Sequence, residues 1–441
     1  MVVTGRARPT RMRTSQQSSM GRGLVPVTRA AGPLAPVLLA LAACAGEPAQ
    51  RPNLLLVTID TLRPDALGCY GAEAATPALD ALAERGARFT DLSAASSWTL
   101  PSLATLMTGR HAATHGAVDD RHGLDGELPV LAERAAAAGY RTHGIGSHIF
   151  LGERYGLQRG FATYDDDLAP RYEERRLAHR QITSPDLVAR AESWLEGLEG
   201  DAPWLLWVHA FDPHNEYREH EGFTQGDAPR DLYDGEVRFT DHHLGRLFAA
   251  LEERGLLDAT VIAVVADHGE EFWEHGGRLH RRTLFEEVVR VPLLLAGPGI
   301  PRATVTTPVG MVDLLPTLLD LLDLAPPADL AGRSLRPLLN EGPDPAPRPV
   351  VTELEGPRPQ RALRLGRWKL VGSVLEDFWF LYDLESDPGE RTDLAAQHPE
   401  RVMALRHLLE EELSARGEGR AIELGAEDLE HLEALGYGGE G

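Results

Sequence analysis

Three stretches of this chain share one design: a run of apolar, mostly branched residues that ends on an aspartate. They are Asn53-Leu-Leu-Leu-Val-Thr-Ile-Asp60, Trp204-Leu-Leu-Trp-Val-His-Ala-Phe-Asp212 and Thr260-Val-Ile-Ala-Val-Val-Ala-Asp267, and Val291-Pro-Leu-Leu-Leu-Ala296 is a fourth apolar run. Without polar alternation, runs of this length read as strands covered on both faces. Helical patterns lie between them, over Thr76–Arg85, Leu131–Ala138, Leu187–Leu198 and Gly235–Arg254. The alternation predicts an α/β fold in which a largely parallel central sheet is sandwiched by helices. Ligands of such sheets bind beyond the carboxyl ends of the strands. Asp60, Asp212 and Asp267 all stand at those ends.

The first 43 residues hold six arginines and no acid, followed by the apolar run Leu34–Ala43 and then Cys44. A basic region, a short apolar region and small residues make an export signal, and the run is too short to span a bilayer. Leu41-Ala-Ala-Cys44 resembles a bacterial lipobox, which predicts a lipidated Cys44 as the first mature residue and attachment to an envelope membrane. An ordinary signal peptide with an incidental cysteine is the alternative, and Met20 is a possible start. Residues 44–51 then form a tether. The formal net charge is −23, and removing the six arginines makes it more negative still. A surface this acidic is unsuited to nucleic acid. With Cys44 acylated, Cys69 has no disulfide partner, and it reads as a packed small hydrophobe.

Cleaving an ester of phosphate or sulfate means bringing a nucleophile to an anion. A metal solves this by acidifying the attacking hydroxyl and neutralising the ester oxygens. Asp60, Asp267 and His268 are suitable ligands at strand ends, and Thr99 is the candidate nucleophile and a fourth ligand. Thr99 precedes a helix-like segment, Pro101–Thr108, whose amino end favours an anion.

The stretch Trp98-Thr-Leu-Pro-Ser-Leu-Ala-Thr-Leu-Met-Thr-Gly-Arg110, with His115 and Gly116 beyond it, resembles the signature of the sulfatase family, a branch of the alkaline-phosphatase superfamily. The resemblance covers roughly residues 52–412. It implies a catalytic domain over 52–340 and a small C-terminal α+β subdomain over 350–415. The latter is carried by Arg364-Leu-Gly-Arg-Trp-Lys-Leu-Val371, by Phe380-Leu-Tyr-Asp-Leu-Glu-Ser-Asp-Pro388 and by a helix near 399–415. A tail over 416–441 contains Leu429–Tyr437, read as a short docking helix, and Arg171–Arg180 reads as a solvated helix face.

In sulfatases a Cys or Ser opening C/S-x-P-S-R becomes formylglycine. Here Thr99 stands in its place and Leu103 replaces the arginine. Thr61 replaces a second strand-end acid, and His268 replaces an asparagine. The segment Gly146-Ser147-His148-Ile149-Phe150-Leu151-Gly152 lacks the family's lysine, and His280 aligns with a later one. The chain has a single lysine, Lys369. Asp60, Thr99, Asp267 and His268 form the set used by phosphoryl-transfer relatives, so the expected reaction is hydrolysis of a phosphodiester, phosphonate ester or phosphomonoester, with a sulfate ester still open. The expected cofactor is a divalent metal. Carboxylate plus imidazole favours Zn²⁺ or Mn²⁺, while Ca²⁺, held by sulfatases with the full acidic set, remains possible. A second metal held by Asp212, His214 and His280 is one reading. The other has His214 and His280 bonding the substrate or the leaving group. His209 reads as buried in its strand, with a direct role in the site as the alternative, and Glu270 and His275 as groups that orient the ligands or their loop. The alternatives in function are a transferase of phospho-head groups onto an envelope glycolipid or polymer, and a degenerate surface-binding protein.

Overall fold

The computed structural model describes residues 51–73, 75–168, 183–340, 346–373, 375–414, 417, 419–426 and 428. The segment read as an export signal and lipidation site, the cluster at 171–180 and residues 429–437, read as a docking helix, lie outside the described residues.

All four apolar runs are strands of one nine-stranded sheet. Across it the order is Ala303–Val305, Ala87–Ser93, Arg290–Ala296, Thr260–Ala266, Asn53–Ile59, Trp204–Ala210, Arg141–Gly146 and Thr163–Asp165, and Val309–Gly310 pairs with Ala87–Ser93 off this path. The four strands of the apolar runs are buried along nearly their whole length, which is why their sequences lack alternation. Asn53–Ile59 runs parallel to both of its neighbours, Trp204–Ala210 and Thr260–Ala266. The three carboxylates that end these runs therefore emerge at one edge. Arg290–Ala296 is the exception to the parallel arrangement, pairing antiparallel on both sides.

The helices follow the periodic segments closely. Pro77–Arg85, Leu131–Ala137 and Ser184–Glu196 match their predicted spans within a few residues, and the longest helix begins earlier than its pattern, at Pro229, and runs to Glu253. Proline in the first turn costs no hydrogen bond, because that N–H has no intrahelical acceptor. Three of these four helices start that way. The helix that carries Thr99 is Thr99–Thr108, entirely buried and ended by Gly109 at φ 65°. Among the described residues no helix is long and apolar enough to cross a membrane.

A four-stranded antiparallel sheet follows, Val350–Leu354, Gln360–Leu365, Trp368–Ser373 and Phe378–Asp383, and the helix Pro399–Glu412 packs Leu405 and Leu409 on it. This sheet braces the loop leading to Thr99. The Glu353 N–H donates to Ala95 O at 2.8 Å, Thr352 Oγ1 donates to Ala94 O at 2.9 Å, and the Ala113 N–H donates to Glu353 Oε1 at 3.0 Å. The chain's one lysine serves the same junction: Lys369 Nζ is buried between Glu286 at 2.8 Å and Glu390 at 2.9 Å. The Gly417 N–H donates to Ala113 O at 2.9 Å, and a side chain there would strike the Thr114 carbonyl.

Candidate active site

Asp60 and Asp267 end adjacent parallel strands and are fully buried. Asp267 Oδ1 is occupied, accepting the backbone N–H of His268 at 2.8 Å and of Thr61 at 3.3 Å. Both oxygens of Asp60 and Oδ2 of Asp267 are buried without a hydrogen-bond partner among the described residues. Burial, then the charge of Asp267, pushes the Asp60 carboxyl well above its ordinary range. Two such carboxylates both stay ionised only if a cation offsets them. The residues present therefore fit a divalent metal.

His268 completes this corner. Its Nδ1–H donates to the Gly269 carbonyl at 2.9 Å, an acceptor only, so Nε2 carries the lone pair. That nitrogen lies 3.5 Å from Asp60 Oδ1, 3.6 Å from Asp267 Oδ2 and 3.3 Å from Thr99 Oγ1. The structure thus brings together Asp60, Thr99, Asp267 and His268. Thr99 is held at the amino end of its helix by a closed loop, in which Ser102 Oγ donates to Ser96 O at 3.0 Å and accepts the Ser96 N–H at 3.2 Å. Leu103, at the position of the family arginine, is fully buried in the apolar core.

Thr61 sits between these ligands at φ 52°, a left-handed conformation that is an outlier for a β-branched residue. It is fixed by the Tyr233 hydroxyl, which donates to Thr61 O at 2.9 Å. Backbone in such a region persists only where its surroundings over-determine it, and here it turns the chain directly beside Asp60.

His214 and His280 stand beside this corner, with ring centroids 5.0 Å apart and that of His280 4.5 Å from His268. His214 Nδ1 donates to Asn215 O at 2.6 Å. His280 Nδ1 faces Glu270 Oε1 at 3.0 Å, and Glu270 Oε2 accepts the Tyr217 hydroxyl at 2.8 Å. His280 is flanked by Leu279 at φ 68° and Arg281 at φ 62°, so its presentation is built by two strained residues. Burial pushes both rings well below the ordinary histidine range. Glu270, expected to orient the ligands or their loop, pairs with His280. His275 instead lies in the loop, facing Glu287 Oε1 at 2.6 Å with its ring stacked on Phe285.

Asp212 is not with them. Its Oδ2 accepts the Ser184 N–H at 2.7 Å and the Thr183 N–H at 3.0 Å, and its Oδ1 takes Thr183 Oγ1 at 3.3 Å. It caps the amino end of the helix Ser184–Glu196, so its lone pairs are spent on the backbone, and the proposed set of Asp212, His214 and His280 is not assembled.

Two further histidines stand near Asp60: His209, for which the sequence offered strand packing or a direct role, and His148, to which it gave none. His209 Nε2 is 3.4 Å from Asp60 Oδ2, and Asp60, His209 and Asp267 offer ligand atoms that all lie within 4.8 Å of one another. Burial lowers the His209 ring to about 4. His148 accepts the Phe150 N–H on Nδ1 at 3.1 Å, so its Nε2 bears the hydrogen, and that nitrogen lies 4.0 Å from Asp60 Oδ2, beyond hydrogen-bond reach. His148 lies in Gly146–Gly152, the segment that lacks the family's lysine, and it is the one titratable side chain there. His115 is structural: its Nε2 pairs with Thr105 Oγ1 at 3.0 Å and its Nδ1 accepts the Ala117 N–H at 3.1 Å.

Comparison with known proteins adds the following. The family model described as Sulfatase matches residues 52–324, and that of the N-sulphoglucosamine sulphohydrolase C-terminal region matches 273–418. The chain is similar to the N-acetylglucosamine-6-O-sulfatase of Bacteroides thetaiotaomicron, with 24% identity over 85% of this chain and 88% of that protein. It is 30% identical to arylsulfatase A of Homo sapiens, over 85% of this chain and 90% of that one. Among solved structures, the phosphonate monoester hydrolase of Agrobacterium radiobacter superposes with a TM-score of 0.70 at 22% identity, covering 82% of this chain and 96% of that one.

Proposed function

Because the chain belongs to the sulfatase family and is an ester hydrolase, we propose that it cleaves its ester by direct attack of Thr99 Oγ1, on a phosphodiester, phosphonate ester or phosphomonoester. The observation that carries this reading is the 3.3 Å approach of Thr99 Oγ1 to the lone-pair nitrogen of His268, at a helix amino end and beside the Asp60–Asp267 pair. A divalent cation held by Asp60, Asp267 and His268 would acidify the Thr99 hydroxyl and neutralise the ester oxygens.

Each remaining step falls to the chain's own groups. Thr99 Oγ1 forms the bond to the central atom while the opposite ester oxygen leaves with the electron pair of the broken bond. His214 and His280 are the groups that stabilise or protonate that oxygen, His280 being aimed by Glu270 and Tyr217. Water then attacks the central atom, the bond to Thr99 Oγ1 breaks, and the hydroxyl is restored. Threonine cannot form the hydrated aldehyde of formylglycine, so release requires this second attack at the central atom. That route suits phosphorus and supports the phosphoryl reading.

A sulfate ester is the second reading, favoured by the names of the relatives, which include an N-acetylglucosamine-6-O-sulfatase and an arylsulfatase. A panel of aryl phosphate, diaryl phosphate, aryl phosphonate and aryl sulfate separates the two. The phosphoryl reading expects kcat/KM for a phosphorus ester to exceed that for the sulfate by at least about tenfold, with phosphate or phosphonate recovered on the Thr99 peptide after acid quench. Highest turnover on the sulfate would establish the second reading instead. Export and lipid attachment at Cys44 are proposed alongside, supported by the basic and apolar residues before it. If so, Cys44→Ala moves the protein from the membrane fraction to the soluble one.

A further inference from the structure

Thr58 and His209 are directly paired across the two central strands, and Asp60 lies two residues beyond Thr58 on the same face of the sheet. Thr58 Oγ1 has three neighbours: Trp207 Nε1 at 3.0 Å, His209 Nδ1 at 2.8 Å and Val208 O at 3.4 Å. A hydroxyl offers one hydrogen and two lone pairs. The carbonyl can only accept and the indole N–H can only donate. All three bonds form together in a single way: the hydroxyl hydrogen goes to Val208 O, and Trp207 Nε1–H and His209 Nδ1–H both donate into Oγ1. His209 Nε2 then carries a lone pair. That nitrogen is buried, has no hydrogen-bond partner among the described residues, and stands 3.4 Å from Asp60 Oδ2, itself an acceptor without a donor. Two buried acceptors facing each other repel unless a cation lies between them.

We propose that His209 is a ligand of the metal centre, oriented by Thr58 and Trp207, and that with His268 it makes a two-carboxylate, two-imidazole site that selects Zn²⁺ over Ca²⁺. Ca²⁺ takes oxygen ligands, whereas imidazole suits Zn²⁺. A hydrogen bond to the far nitrogen fixes the ring and its basicity, so Thr58 contributes to affinity without touching the ion. The inference rests on the Asp60–Asp267 metal centre proposed above and is independent of the role of Thr99.

The test is metal binding by the full chain stripped of metal, read by equilibrium competition and by the visible spectrum of bound Co²⁺. Wild type should bind Zn²⁺ at least about 100-fold more tightly than Ca²⁺. His209→Ala should weaken Zn²⁺ and change the Co²⁺ spectrum. Thr58→Val should weaken Zn²⁺ by about 10- to 100-fold while Thr58→Ser, which keeps the hydroxyl, restores it; this pair carries the test if His209→Ala fails to fold. Equal Zn²⁺ affinity and an unchanged Co²⁺ spectrum in His209→Ala, equal affinity in Thr58→Val, or a wild-type preference for Ca²⁺ would each overturn the proposal while leaving the metal centre standing. Failure of the wild type to bind any divalent ion would overturn the centre itself.

Discussion

His268 Nε2 faces Thr99 Oγ1 at 3.3 Å, and its lone pair is fixed there because the opposite ring nitrogen donates to the Gly269 carbonyl. A hydroxyl so placed needs only its oxygen. Thr99→Val keeps the shape of the side chain and removes that atom. It should fold as the wild type does and still hold metal through Asp60, Asp267 and His268, yet lose about a thousandfold or more in kcat. Thr99→Ser should retain most of the activity. Steady-state kinetics on the best ester of the panel measures both, and wild-type turnover by Thr99→Val would remove Thr99 from the mechanism.

The Asp60–Asp267 pair predicts an unusual sign for a stability change. Without a cation, Asp60 is held far above its normal pKa by burial and by Asp267. Asp60→Asn removes one of the two charges. In chelator it should be more stable than wild type by about 1–3 kcal/mol, and it should lose the rise in Tm that wild type gains from added metal. Thermal unfolding with and without chelator tests this. An equal metal response in both proteins would contradict the ligand assignment of Asp60.

Much of this site is legible in the sequence because its parts are local. Asp60, Asp267 and His268 follow unbroken apolar runs, and strand ends of an α/β sheet face the ligand by topology. Asp212 shows the limit of that rule. It ends the same kind of run, yet its oxygens serve the amino end of a helix that precedes its strand, and nothing in the spacing of residues 184 and 212 announces the contact. His209 is hidden for the opposite reason. Inside an apolar run it reads as packing, and its place beside Asp60 depends on strand register, which only pairing with Thr58 fixes. The antiparallel direction of Arg290–Ala296 was equally invisible, since periodicity carries no direction.

Asp212 therefore yields a prediction about folding rather than metal. Asp212→Ala leaves the Thr183 and Ser184 amides buried without their acceptor. It should cost about 1–3 kcal/mol of stability and leave the metal content of the folded protein unchanged. Denaturant melts together with metal analysis decide the matter. A lost metal ion in a well-folded Asp212→Ala protein would return this carboxylate to the site.

His280 is aimed by a chain of two hydrogen bonds, from Tyr217 to Glu270 and from His280 to the same carboxylate. If His280 assists the departing oxygen, loosening that chain matters most when the leaving group is poor. Tyr217→Phe should slow an alkyl ester more than an aryl ester, by about tenfold or so in the ratio of kcat values. A loss equal for both leaving groups would mean that Tyr217 acts on folding or binding alone.

His115 supplies the pH dependence with the clearest sign. The ring is fully buried against the Thr99–Thr108 helix, accepts the Ala117 N–H, and pairs with Thr105, and burial drives its pKa down to about 3. In the unfolded chain it titrates near its ordinary value, about 6.5. Between those two values the unfolded state binds a proton that the folded state refuses. Stability is therefore complete above the unfolded value and falls as pH drops through the window, with a slope approaching about 1.4 kcal/mol per pH unit for this one ring. His115→Gln keeps a donor and an acceptor but cannot be protonated. It should be less stable than wild type near neutrality, where the packing is imperfect, and should lose stability less steeply on acidification. Denaturant titrations at about pH 7, 5.5 and 4.5 measure the two slopes. Parallel slopes would show that the buried ring takes its proton without opening the fold.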